Sequence, residues 1–183
     1  MFCLVLFLIC AFMSLFVGAL AAWSDIRGMT IPNIYSAIVG GLFVVAYVVV
    51  ALMGPEGVFG PWVSHLVAGL IVFAVTVLLF AARALGGADS KLATVFALWV
   101  GIQGLSAFLL YTTLAGGVLG LTALAIRHWK LFANAPAGSW PAQIQAGASK
   151  VPYGVAILTG AVIAFFYAGY FSPETLSSFV GGN

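Results

Sequence analysis

The chain has 183 residues, of which 64% are hydrophobic and 5% charged, with six Lys and Arg against four Asp and Glu. A mean hydropathy of +1.22 excludes a soluble globular domain, in which about 25% of residues are charged, because an aqueous fold cannot cover so much apolar surface. The net charge of +2 is too small to point to nucleic acid.

The composition predicts an all-α, polytopic membrane protein forming a single domain over residues 1–183. A transmembrane barrel is disfavoured, because its strands alternate polar and apolar residues. Here the runs are apolar on every side, as in Leu42 to Met53 and Leu66 to Ala82. About six spans are predicted, over residues 1–22, 34–53, 62–83, 90–104, 105–127 and 152–172, most of them near the ~20 residues that cross a bilayer core.

The first run ends in Ala19-Leu20-Ala21, which has the small residues of a secretory cleavage site. No positive charge precedes it and it exceeds the ~7–15-residue core of a signal, so it is expected to be retained as a span. Cys3 and Cys10 lie seven apart in this run, on one helix face, and read as small packing residues. Without a Cys-x-x-Cys pair a cysteine-bound zinc is not expected. Between the fourth and fifth spans, Gly101-Ile102-Gln103-Gly104 predicts a turn; were that region one kinked helix, the spans would number five. Residues 128–151, rich in Ala, Gly, Pro, Ser and Gln, predict a flexible or surface-lying connector. Trp23, Trp62, Trp129 and Trp140 fall near predicted interfaces and read as an aromatic belt, with Trp99 buried in span four. His65 and His128 belong to opposite ends and read as packing or interfacial residues.

Charge placement bears on the span count. With six spans, the loops after the first, third and fifth hold Arg27, Arg83, Lys91, Arg127, Lys130 and Lys150, every Lys and Arg in the chain. The opposite side holds only Glu56 and Glu174. Excess Lys and Arg marks the cytoplasmic face, so the N-terminus is expected outside.

Asp25 and Asp89 are the two aspartates of the chain. Each interrupts the end of an apolar run, in Ser24-Asp25-Ile26-Arg27 and in Gly86-Gly87-Ala88-Asp89-Ser90-Lys91. An ionisable group at membrane depth is costly and marks a functional site by default. Taken singly, either could be a helix cap. Taken together, they fall on the same membrane face, where packing could bring them close. Two adjacent carboxyls can share one proton, supplying a base to activate water and an acid to polarise a peptide carbonyl. Nearby, Pro32 and Asn33 open the next helix, Gly86 and Gly87 permit a tight turn, and Arg27 and Lys91 are candidates for supporting the site or binding substrate or lipid phosphate. A competing reading is a small transporter or structural membrane subunit in which the aspartates handle protons or a cation. It would place them near mid-membrane.

The stretches Ser24 to Arg27 with Ile31-Pro32-Asn33, Gly86 to Leu92, and Lys150-Val151-Pro152-Tyr153-Gly154-Val155-Ala156-Ile157 resemble, in order, those of the type IV prepilin peptidase family of membrane aspartyl proteases. Ala88 stands where that family carries glycine before its second aspartate. The resemblance implies that Asp25 and Asp89 are catalytic and that no cofactor or metal is required. It also implies that the partner is a prepilin or pseudopilin helix within the inner membrane lipid, cut at the cytoplasmic face. The chain lacks the Cys-x-x-Cys region of the larger, bifunctional members. It therefore resembles the short branch serving tight-adherence pili, or the archaeal preflagellin peptidases, without N-methyltransferase activity.

Overall fold

A computed structural model describes residues 2–129, 132, 135–148 and 150–181. Lys130, counted above in the charge pattern, lies outside them. Every regular element among the described residues is a helix: α1 (Phe2–Gly28), α2 (Asn33–Met53), α3 (Trp62–Ala81), α4 (Gly87–Trp129), α5 (Trp140–Gln145), α6 (Tyr153–Tyr167) and α7 (Pro173–Gly181). In lipid each backbone amide must be satisfied within its own segment, which selects helices for runs this apolar. Helices α1 to α4 are long and apolar enough to cross a membrane. Pro32, Pro61 and Pro152 stand at the N-caps of α2, α3 and α6, where an N–H would have no helical acceptor.

With its 43 residues, α4 would measure about 65 Å if straight, twice the ~30 Å hydrocarbon core. It is not straight. Gly101 has φ 59° and ψ −171°, a conformation open essentially to glycine alone, and the chain folds back there. The limb 102–129 returns past the limb 87–100, so that Phe108 and Gly116 line the same cleft as Leu85 and Ala93. The predicted turn between the fourth and fifth spans is therefore narrower than four residues. Gly101 alone breaks the helix; Gly104 is helical, and a Cβ there would lie 2.8 Å from Val100 Cβ.

Helix α4 packs on α6, α3 and α2: Gly160 of α6 abuts Phe108 and Thr112 of the returning limb, and Gly69 of α3 and Gly40 of α2 abut Leu98 and Val95 of the outgoing limb, while α1 closes the bundle against α2 and α6. The centre is filled by Phe7, Phe96, Trp99, Phe108 and Phe165, all fully buried. Close approach depends on small residues: a Cβ at Gly160 would lie 2.7 Å from the carbonyl oxygen of Phe108, so α6 and the returning limb touch backbone to backbone.

The two ends of the bundle differ in charge. Arg27, Arg83, Lys91, Arg127 and Lys150 gather where α1 ends and α2, α4 and α6 begin, while Glu56 and Glu174 belong to the opposite end. At that opposite end His65 is buried among Phe43, Tyr47 and Phe59, with Nδ1 2.7 Å from the Leu98 carbonyl oxygen. This is the packing role expected of it. Cys3 and Cys10 are buried free thiols. Two expectations need correction. The connector 128–151 contains α5, and Trp140 is 7% exposed rather than part of a belt. It packs with Ala123, Ile126 and Ile144 and donates its Nε1 hydrogen to the Lys150 carbonyl at 3.0 Å, which satisfies the indole without an interface. Helix α7 was not anticipated.

Candidate active site

Asp25 occupies the last turn of α1 and is 5% exposed. The turn that follows is held by the Met29 amide donating to the Asp25 carbonyl at 2.8 Å and by Ser24 Oγ donating to the Thr30 carbonyl at 2.8 Å. Met29 has a φ of 52°, uncommon for a residue with a side chain. Carboxylate Oδ2 accepts the Gly154 N–H at 2.9 Å. Gly154 lies in the first turn of α6, whose N-cap Pro152 offers no side-chain acceptor, so Asp25 of α1 satisfies one of the free amides there. The approach is close: a Cβ on Gly154 would stand 3.2 Å from Asp25 Oδ2 and 3.0 Å from Ile31 Cδ1.

Asp89 is the third residue of α4 and reaches back to its own helix start, where Oδ2 accepts the Gly86 N–H at 3.2 Å. This is the return half of a capping box rather than the N-cap role considered above. A Cβ on Gly86 would lie 2.5 Å from Asp89 Oδ2, so only glycine leaves room for the carboxylate. Ala88 is an ordinary helical residue without positive φ, and alanine fits there. Oδ1 of Asp89 is buried without a hydrogen-bond partner, unusual for a carboxylate oxygen. Beside it, Ser90 Oγ and Thr76 Oγ1, 2.7 Å apart, fix the start of α4 to α3.

Asp25 and Asp89 line one open cavity of about 740 Å³ at the basic end of the bundle, together with Phe80, Arg83, Gly86, Lys150 and Tyr153. Among the described residues no three His, Cys, Asp or Glu side chains converge, so a metal at the pair would have only these two ligands from that set.

The remaining predicted residues divide. Gly86 lines the cavity, and Gly87 packs on Phe80, with a built Cβ 3.3 Å from its ring. Pro32 and Asn33 start α2 as expected. Lys91, proposed above for substrate or lipid phosphate, instead donates from Nζ to Asn33 Oδ1 at 3.0 Å, tying α4 to α2. The Arg27 guanidinium lies 4.8 Å over the Trp23 ring, a cation–π contact. Arg27, Pro32, Asn33 and Lys91 do not line the cavity. The residues missed as site members are Gly154, Tyr153, Lys150 and Arg83. The first three belong to the third matching stretch. Arg83 gave no sequence signal, and its φ of 59° is visible only in three dimensions.

These features define a membrane-embedded helical protein with paired carboxyls in a cavity at one end. A model of the type IV leader peptidase family matches residues 10–121, more than half of the chain, and the chain belongs to that family. No curated protein and no solved structure matches it.

Proposed function

We propose that the protein is an aspartyl endopeptidase that removes the short basic leader from a prepilin-like substrate, with Asp25 and Asp89 as its catalytic pair. The observation that carries this reading is the convergence of the two aspartates, from α1 and α4, on one open cavity, with Asp89 Oδ1 unpartnered. Family membership supports the peptidase class.

In the proposed reaction the pair holds one proton. The ionised carboxyl takes a proton from water, whose oxygen attacks the scissile carbonyl carbon. The protonated carboxyl donates to the carbonyl oxygen. The tetrahedral adduct then collapses: the C–N bond breaks, the nitrogen receives a proton from the dyad, and the products are a leader carboxylate and a free amino terminus. The Gly154 and Gly86 amides hold one oxygen of each carboxylate, and Asp89 Oδ1 is left without a hydrogen-bond partner. Arg27, Asn33, Lys91, Pro32 and Gly87 act in this reading by holding the helix starts around the pair.

In this reading the chain crosses the membrane six times, the reversal at Gly101 dividing α4 into two passages, with the N-terminus outside and the cavity at the cytoplasmic face of the inner membrane; the collection of Lys and Arg at that end supports the orientation. The whole chain acts as one peptidase domain, without N-methyltransferase activity. Purified protein in detergent, incubated with a prepilin, is expected to release the leader, detected by mass spectrometry of both fragments. Cleavage should persist in EDTA and after serine-directed reagents, and the new amino terminus should remain unmethylated when a methyl donor is supplied. Loss of cleavage in EDTA, restored by zinc, would contradict the carboxyl mechanism.

A further inference from the structure

A second cleft, of about 450 Å³, runs between α3 and the returning limb of α4. Val72, Val75 and Leu79 form one wall, and Leu109, Thr113 and Gly117 face them. Leu85 and Tyr153 line both this cleft and the cavity that holds Asp25 and Asp89, so the two spaces meet. Their chemistry differs. The cavity carries Asp25, Asp89, Arg83 and Lys150, whereas no Asp, Glu, Lys, Arg or His lines the cleft. From Val72 to Leu79 the wall rises about 10 Å, two helical turns. The facing wall is low at Gly117, where a Cβ would meet nothing within 4 Å. Small residues of this kind let a second helix approach closely in lipid.

We propose that this cleft seats the apolar helix of the substrate that follows the scissile bond, with the polar stretch before it entering the cavity at the aspartates. The inference rests on the peptidase reading and adds where the substrate helix lies. A charged space opening directly into an apolar one matches a segment whose polar leader runs into an apolar helix. A lipid has the same order of polar head and apolar chain, but a flexible acyl chain has no need of a wall lowered over a helix's width.

Gly117→Leu projects a side chain into the cleft from a position where its Cβ meets nothing within 4 Å. It is expected to slow prepilin processing at least ten-fold in a protein that accumulates normally. Gly120→Leu, on the same limb and equally open but outside the cleft, should stay within two-fold of wild type. In parallel, single cysteines at Val75 or Thr113 of the Asp89→Asn protein should form disulfides with cysteines placed along the substrate helix, recurring every third or fourth position. A cysteine at Leu70, exposed on α3 away from the cleft, should form none. Equal processing by Gly117→Leu and Gly120→Leu overturns the proposal. So does slowed processing without periodic crosslinks, which assigns the cleft to lipid. Failure of the wild-type protein to process any prepilin overturns the peptidase reading itself, and this inference with it.

Discussion

Each aspartate commits one oxygen to a backbone amide, and in both cases a glycine supplies that amide: a Cβ would crowd Asp25 Oδ2 at 3.2 Å from Gly154 and would overlap Asp89 Oδ2 at 2.5 Å from Gly86. Gly86 tests this directly. It lacks a positive φ, so alanine is compatible with its backbone, yet the added Cβ would stand 2.5 Å from Asp89 Oδ2. Gly86→Ala is therefore expected to displace the carboxylate and cut leader removal more than ten-fold at unchanged protein level, read from the mobility shift of a co-expressed prepilin. Near wild-type processing would show that the Asp89 position is not critical. Lys91 provides the contrast. Its contact with Asn33 is exposed, and exposed polar pairs contribute about 0–1 kcal/mol, so Lys91→Gln should process within about two-fold of wild type. A loss of ten-fold or more would return Lys91 to substrate binding. Asp25, Asp89, Gly86 and Gly87 were legible in the sequence because they interrupt apolar runs. Gly154 was not readable as a site residue, since its role depends on α6 beginning beside the end of α1, a contact across 129 positions.

At the scale of the helices, the reversal at Gly101 decides whether the site assembles at all, because it brings the returning limb and then α6 back toward Asp25. The glycines of 101–104 announced a break. They did not say which would carry it, because that depends on the Ser64 Oγ accepting the Ile102 N–H at 3.0 Å and on His65 and Ser64 crowding Gly101. An alanine Cβ there would meet both residues at 3.2 Å with φ still positive. Gly101→Ala is expected to cost about 1–3 kcal/mol, measured as a lower Tm in detergent through the fluorescence of buried Trp99. An unchanged Tm would show that the turn relaxes freely. Helix α5 escaped the sequence for a related reason. Trp140 and Ile144 lie four apart in a short polar segment, and their burial depends on Ala123 and Ile126 of α4. A tryptophan near a predicted interface reads as a belt residue until its partner for Nε1 is known.

Over the whole molecule, the Lys and Arg among the described residues collect at the end that holds the cavity and the glutamates at the other. The all-helical fold and this division were readable from hydropathy and charge alone, since both follow from what lipid excludes. The proposed orientation predicts that cysteines introduced at Thr30 and Gly138 resist an impermeant thiol reagent in intact cells, whereas one at Gly57 reacts. Labelling of Thr30→Cys from outside would reverse the orientation and remove the cytoplasmic leader from reach. Placement of both aspartates at the end of the bundle also separates the peptidase from a transporter, whose ionisable residues would sit near its middle.

The most direct measurement is leader removal by Asp25→Asn, Asp89→Asn and the double variant, each co-expressed with a prepilin and quantified at matched protein levels. Asn removes the titratable proton at nearly constant volume, and its side-chain oxygen can still accept the Gly154 or Gly86 amide. Because a catalytic pair acts as a unit, each single variant should abolish processing and the double should be no worse. A residue that only capped a helix would cost about 0.5–2 kcal/mol of stability when its cap is lost and leave turnover largely intact. Processing at near wild-type rate by either single variant, present at normal level, would contradict the account.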